Sequence, residues 1–169
     1  MIDWLEIRQF AIAERLEIEF EASFTTVTGE TGSGKSLIVD AINVLLGDRS
    51  EASRIRYGQD SAELQAGFTL AEGHPALEWL RERGMDDSTD CIVRRVLRRG
   101  RSSRGFINSH AATASQLKEL GGFLVDIHGQ HEHLSLLKRS VQRDLLDAAA
   151  GNAEIMADVA KRHDAVRDL

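Results

Sequence analysis

The chain has 169 residues, with 21 Lys and Arg against 27 Asp and Glu and a formal net charge of -6 at pH 7. Hydrophobic residues make up 42% and charged residues 28%, ordinary globular usage that excludes a disordered, collagenous or wholly coiled-coil chain. One cysteine, Cys91, cannot close an internal disulfide, the opening Met1-Ile2-Asp3-Trp4 lacks a secretory signal, and no stretch approaches the ~18 apolar residues of a membrane span, so the expected location is cytoplasmic, with no membrane partner. The acidic balance argues only against coating nucleic acid indiscriminately, because a local basic patch can sit on an acidic domain.

In chain order, Leu5 and Ile7 flank Glu6, then Leu16, Ile18 and Phe20 alternate with Glu17 and Glu19, which predicts a hairpin with one wet face. Phe24-Thr25-Thr26-Val27-Thr28 is rich in β-branched and aromatic residues and predicts a third strand ending at Gly29. Leu37, Ile38, Ala41, Ile42, Leu45 and Leu46 recur at helical spacing, and Gly47 sits where a helix stop belongs. Strand character from Glu63 to Leu70, a short helix from Pro75 to Arg83 ended by Gly84, and a strand from Ile92 to Leu97 follow. Arg98 to Gly105 reads as a polar turn, with Phe106-Ile107 returning as its partner. Ser115 to Leu120 predicts a helix terminated by Gly121-Gly122, and Phe123 to Ile127 is a short apolar run of the kind found in buried central strands. From Leu134 the pattern is helical, with a break at Gly151-Asn152. Ile155, Val159, Arg162, Val166 and Leu169 are spaced as a narrow coiled-coil seam, against the competing reading of an amphipathic surface helix. No cap or stop signal closes this helix, so a longer element is expected there.

The sharpest motif is Gly29-Glu30-Thr31-Gly32-Ser33-Gly34-Lys35-Ser36, which matches G-x-x-x-x-G-K-[ST] in full between a predicted strand and a predicted helix. Wrapping a backbone around a phosphate needs glycines for close approach and positive φ, inward N–H groups, and the partial positive charge of a helix start. Lys35 is then expected to reach the β and γ phosphates of ATP, and Ser36 to place its hydroxyl on Mg²⁺. Asp126-Ile127-His128-Gly129-Gln130 follows the predicted buried strand and ends in a neutral Gln able to ligate Mg²⁺ or orient the attacking water. The hairpin before the phosphate loop and this Gln together point to the ATP-binding cassette arrangement.

At this level of detail the chain resembles the N-terminal part of the RecN family, bacterial SMC-like DNA repair ATPases. The resemblance is carried by Gly29 to Ser36, Asp40-Ala41-Ile42 to Leu46-Gly47-Asp48-Arg49, Arg56-Tyr57-Gly58, Gly100-Arg101-Ser102, Ile107-Asn108 and above all Asp126-Ile127-His128-Gly129-Gln130-His131-Glu132-His133. It implies an α/β fold, an ABC-type P-loop NTPase half-head whose mixed sheet carries an antiparallel N-terminal β-subdomain and leads into a coiled-coil helix. Residues 1–150 would be the N-terminal half of the head and 151–169 the start of the coiled-coil arm. Gln130 would be the Q-loop glutamine, a ligand of Mg²⁺. Walker B, the signature motif and the switch histidine would lie in a C-terminal half beyond the coiled coil. The implied partners are that half, a second head in an ATP-dependent dimer, and DNA, in a nucleoid-associated protein acting in double-strand break repair and recombination. An arginine at the place of Arg56 links DNA to hydrolysis in SMC-type heads.

Three local features have competing readings. Leu124-Val125-Asp126 superficially resembles a Walker B strand, but Asp126 is followed by Ile127 rather than a second acid, and fixing the loop backbone is the preferred role. His128, His131, His133 and Glu132 cluster in sequence, yet their spacing fits no zinc helix motif. Arg94, Arg95, Arg98, Arg99, Arg101 and Arg104 form an acid-free stretch worth several phosphate contacts if they share a face. Strand alternation would send Arg94 and Arg95 to opposite sides, so the six cannot all act together. Arg98, Arg99 and Arg101 are DNA candidates against the reading of a solvated hairpin or of contacts to the coiled coil and partner head, and the resemblance adds Arg56, whose competing reading is an ordinary surface ion pair. The alternatives to an SMC-like head are a self-contained P-loop kinase with an Arg94 to Arg104 lid, and a structural DNA-binding or coiled-coil module with a vestigial nucleotide site. The hairpin and Gln130 disfavour the first, and intact Lys35 and Ser36 the second.

Overall fold

Strict alternation in the first twenty residues produces β1 (Ile2–Phe10) and β2 (Ala13–Glu19), joined through Ala11 and Ile12. In the computed structural model the described residues are 1–21, 24–29, 34–49, 52–127, 142–143, 146–147, 149–152, 155–156, 158–159 and 161–163. They fall into two units, 1–126 and 127–169.

The first unit is built on one sheet of six strands, adding β3 (Ser61–Thr69), β4 (Asp90–Arg98), β5 (Arg101–Ile107) and β6 (His110–Ala112) in the order β2-β1-β3-β4-β5-β6. Every neighbouring pair is antiparallel, so these strands supply the antiparallel β-subdomain of the expected half-head. Register follows the hydrophobic alternation: Ile7 lies opposite Leu16 and Leu64, Ala66 opposite Val93, and Val93 opposite Ile107. A slip by one residue would turn Leu5, Ile7, Leu64 and Val93, all buried, out to water. The wet face carries Arg8 on Glu6 at 2.6 Å and Arg94 on Glu63.

Three helices complete the unit: α1 (Lys35–Leu45), α2 (Pro75–Glu82) and α3 (Ala114–Leu124). Ala41, Val44 and Leu45 of α1, Leu77 and Leu80 of α2, and Leu117 and Leu120 of α3 join the sheet residues in one core; each large aliphatic side chain fully removed from water contributes roughly 1.5–3 kcal/mol. A single 3₁₀ turn, Ala52–Arg54, follows α1 and is tied to it by Arg54 on Asp40 at 2.6 Å.

Four local expectations are corrected. Residues 24–28 form no strand and leave Phe24 85% exposed, because a β-branched run becomes a strand only beside a chain that takes up its backbone hydrogen bonds. The polar turn after β4 is confined to Arg99-Gly100, and the pairing of Arg101 with Arg98 and Arg104 with Val96 extends β5 back to Arg101. Gly121-Gly122 does not stop α3, which runs to Leu124: Gly121 is buried against Leu46, where a Cβ would lie 2.9 Å from the Leu46 Cβ. That glycine marks close helix packing, and the expected strand from Phe123 to Ile127 is replaced by the last turn of α3 and an irregular Val125–Ile127.

In the second unit Gly151 at φ +68 breaks the helical pattern as expected, and helical hydrogen bonding resumes with Met156 N–H donating to the Asn152 carbonyl at 2.9 Å. Ile155 and Val159 are exposed, and Arg162 pairs with Asp158 at 2.9 Å. Val166 and Leu169 of the seam lie outside the described residues.

Candidate nucleotide-binding site

The start of α1 differs from the other helix starts. His74 caps α2 by accepting the Ala76 N–H at 3.2 Å, and Thr113 and Gln116 close α3 with a reciprocal capping box, Gln116 N–H to Thr113 Oγ1 at 3.2 Å and Thr113 N–H to Gln116 Oε1 at 2.9 Å. At α1 the N-cap is Gly34, with φ 95 and ψ 7, no side chain caps the helix, and its first turn holds no acid. Positive φ here needs glycine. Among the described residues no side chain caps this start and no acid offsets its dipole, the setting an anion requires. Burial of Leu37 and Ala41 against the core fixes the helix direction, while Ser36 stays exposed at its mouth. The Lys35 ammonium reaches back across the loop and donates to the Gly29 carbonyl, so its charge sits between the two ends of the motif. These residues fit a nucleotide phosphate with its Mg²⁺. Glu30, Thr31, Gly32 and Ser33 of the loop lie outside the described residues, as do Gln130 and the His128, His131, Glu132 and His133 group.

A side chain that sequence reasoning passed over lies next to this mouth. Ile12, at the tip of the first hairpin, is 71% exposed, and its Cδ1 is 4.0 Å from where a Cβ on Gly34 would be. The tip is strained: Gln9 and Ala11 have φ 51 and 50, conformations that cost about 1 kcal/mol or more each for residues other than glycine. An apolar residue in a two-residue turn was the only available signal. On its other side the tip is stitched to the segment after α1, with Ala11 N–H donating to the Arg54 carbonyl at 2.7 Å and Arg56 N–H to the Gln9 carbonyl at 2.9 Å.

The arginines divide by role. Arg95 is 3% exposed; its guanidinium donates to the Val44 carbonyl, to the Asp48 carbonyl at 2.7 Å and to Ser103 Oγ at 3.2 Å. It locks the C-terminal end of α1. Burial pulls its pKa below the usual arginine value, and the Asp48 charge opposes that pull. Arg94, on the opposite side of β4, pairs with Glu63 and lies 5.2 Å over the Phe106 ring. Alternation therefore separates these two as expected, and both serve the fold. Arg56 pairs with Glu14 at 3.2 Å. Arg99 donates twice to the Gln59 carbonyl at 3.3 Å. Arg98 and Arg101 are exposed and, with Arg49, line a cleft of about 610 Å³ between the end of α1 and the β4–β5 turn. Its acid, Asp48, lies 3.7 Å from Lys118.

Asp126 is exposed and follows an irregular segment, so the strand that a Walker B acid needs is not in place before it. Among the described residues there is no group of three metal-ligating side chains and no helix long and apolar enough to cross a membrane. Burial pushes the Cys91 thiol up to about 12, so it takes no part in chemistry near neutrality.

The AAA domain family matches residues 5–154. The DNA repair protein RecN of Xylella fastidiosa strain 9a5c is 47% identical over 152 residues, which cover 90% of this chain and 27% of that protein. RecN of Bacillus subtilis strain 168 is 43% identical over 152 residues, 89% of this chain and 26% of that protein. The chain thus spans about a quarter of the length of these curated relatives. Among solved structures, the Smc head domain with an extended coiled coil from Pyrococcus furiosus superposes with a TM-score of 0.69 at 24% identity, covering 99% of this chain and 46% of that one. The recombination mediator RecF with ATP gives 0.61 at 15% identity, covering 88% and 38%. These two likenesses show the fold, that of an SMC-type half-head. With the phosphate-loop motif ahead of α1 and the match over residues 5–154, the chain belongs to the AAA domain family and is similar to the RecN proteins over most of its length.

Proposed function

We propose that the chain is the ATP-binding half of an SMC-like ATPase head that acts on DNA in break repair. The observation that carries this is the start of α1: a G-x-x-x-x-G-K-S loop feeding a helix with a left-handed glycine at its cap, no capping side chain and Lys35 across the mouth. The similarity to proteins named for DNA repair supports the biological setting. In this reading the backbone of Gly29, Glu30, Thr31, Gly32, Ser33 and Gly34 holds the phosphates, Lys35 neutralises charge on the β and γ phosphates, and Ser36 and Gln130 ligate Mg²⁺. Mg²⁺ supplies further stabilisation of the charge that develops on the transferred phosphoryl group. Ile12 covers the mouth on its apolar side.

The head is completed by the C-terminal half of the same protein and by a second head, and residues 151–169 begin the coiled-coil arm. Arg56, Arg98, Arg99 and Arg101 contact the DNA backbone. The strained hairpin tip supports coupling between the two sites, since Ile12 lies near the α1 cap and the tip holds Arg54 and Arg56 by main-chain hydrogen bonds.

The test is calorimetric titration of ATP into the full-length protein and its Lys35→Ala variant. Losing a charge-assisted contact to two phosphates is expected to weaken binding on the order of a hundredfold with the melting temperature unchanged. Equal affinity in the two proteins would overturn the assignment.

A further inference from the structure

One aromatic side chain is displayed where an apolar group gains nothing from folding. Tyr57 is 99% exposed, yet its backbone is held in an ordered turn. Gln59 N–H donates to the Arg56 carbonyl at 3.1 Å and Gly58, the third residue, has φ +81, the arrangement of a type II turn with Tyr57 at the tip. Arg56 N–H anchors the turn to β1 through the Gln9 carbonyl at 2.9 Å, and Arg99 clamps its far side through the Gln59 carbonyl. A wholly solvated phenol ring has no role in the core, and two independent anchors hold the backbone of the turn that carries it.

The charge around it favours one class of ligand. Ile55, the residue before Arg56, lines the cleft that also carries Arg49, Arg98 and Arg101. No ion pair to these three guanidiniums is seen among the described residues, in a chain of net charge -6. Positive charge in a cleft that Ile55, two residues before the ring, also lines, together with an exposed aromatic side chain, is the combination that recognises a single nucleic-acid strand: guanidiniums track the phosphates and the ring stacks on a base. A paired base offers its face only to its neighbours in the duplex, so the ring is served by an unpaired one.

We propose that Tyr57 is a stacking platform for an unpaired DNA base whose flanking phosphates run into the Arg49, Arg98 and Arg101 cleft. This rests on the DNA reading above and adds to it the chemistry of the contact. A protein partner seated on the ring is the rival occupant.

The experiment is fluorescence anisotropy with the full-length protein and three labelled probes of equal length, about 30 nucleotides or base pairs: oligothymidine, an abasic strand with the same phosphates, and a blunt duplex. The wild type is expected to bind oligothymidine about tenfold more tightly than the abasic strand. Tyr57→Ala removes that margin and leaves the abasic strand and the duplex unchanged, whereas Tyr57→Phe and Tyr57→Trp retain it. Because the ring is solvated, truncation disturbs no packing, and an unchanged melting temperature checks this. Oligothymidine bound equally by wild type and Tyr57→Ala, or weakened in step with the abasic strand, overturns the platform and hands the ring to a protein partner, while DNA binding itself stands. Failure of every probe to bind at low salt overturns the DNA reading along with it.

Discussion

The two ends of α1 are built to opposite rules. At its C-terminal end nearly every backbone group is answered from within the protein: Gly47 takes φ +106, its N–H donates to the Val44 carbonyl at 3.3 Å, Asp48 N–H donates to the Asn43 carbonyl at 3.1 Å, and Arg95 adds its guanidinium to the Val44 and Asp48 carbonyls. That is a Schellman ending with a buried cation at the negative pole of the helix dipole. At the N-terminal end no side chain caps the helix. A helix that had only to be stable would be closed at both ends, as the capping box of α3 illustrates. The asymmetry teaches that the N-terminal end is shaped for something other than stability, and that the closed end holds the open one in place.

Four substitutions would break or sharpen this contrast. The largest effect is expected at the closed end. A Cβ on Gly47 would lie 2.6 Å from the Ala114 carbonyl oxygen and 2.7 Å from the Lys118 nitrogen, both backbone atoms, and the positive φ adds strain. Gly47→Val is expected to lower stability by about 4 kcal/mol, read by urea denaturation; a loss under about 1 kcal/mol would show that α1 and α3 can separate without cost. Next comes Arg95→Ala, which takes the guanidinium from the Asp48 carbonyl, leaves the Val44 carbonyl only its Gly47 N–H, and empties the space the guanidinium fills. About 3 kcal/mol is expected, and the same titration checks it. An Arg95→Ala variant with native stability but defective DNA binding would move Arg95 from the fold to the site.

The open end should respond differently. Among the described residues a Cβ on Gly34 meets nothing nearer than Ile12 Cδ1 at 4.0 Å, so Gly34→Ala is expected to cost the strain of positive φ, about 1 kcal/mol. ATP affinity is expected to fall by more than that strain accounts for, because the amides turn away from the phosphate. Thermal melting beside calorimetry separates the two quantities, and affinity unchanged in this variant would remove the loop from the binding site. The smallest effect belongs to the closed start of α3. Thr113→Ala is expected to cost about 1 kcal/mol of stability and to leave ATP affinity alone; a loss of affinity there would mean that the two helix starts are not independent.

How much of this was legible beforehand varies with the range of the interactions involved. The hairpin β1–β2, the stop of α1 at Gly47, and the helix between Pro75 and Gly84 rest on period and punctuation, which are local, and they stand as read. The phosphate-loop motif was equally plain, since its chemistry demands fixed residue types at fixed spacing. Arg95 shows the opposite case. Its place in an acid-free run pointed outward to phosphates, and only the packing of β4 beneath the end of α1 turned it inward to carbonyls. Gly121 was read as a stop, yet it is small because Leu46 presses on it.

The sequence by itself determined the alternation, the caps, the glycines of the turns and the residue types at the mouth of α1, because each depends on neighbours a few positions away. Whether Phe24 to Thr28 pairs as a strand, which arginines face water, and that Tyr57 is left wholly solvated were decided by the tertiary structure. The physical reason is that a strand needs a partner to take its hydrogen bonds, and a long cationic side chain follows whichever desolvated acceptor or solvent face its element presents to it.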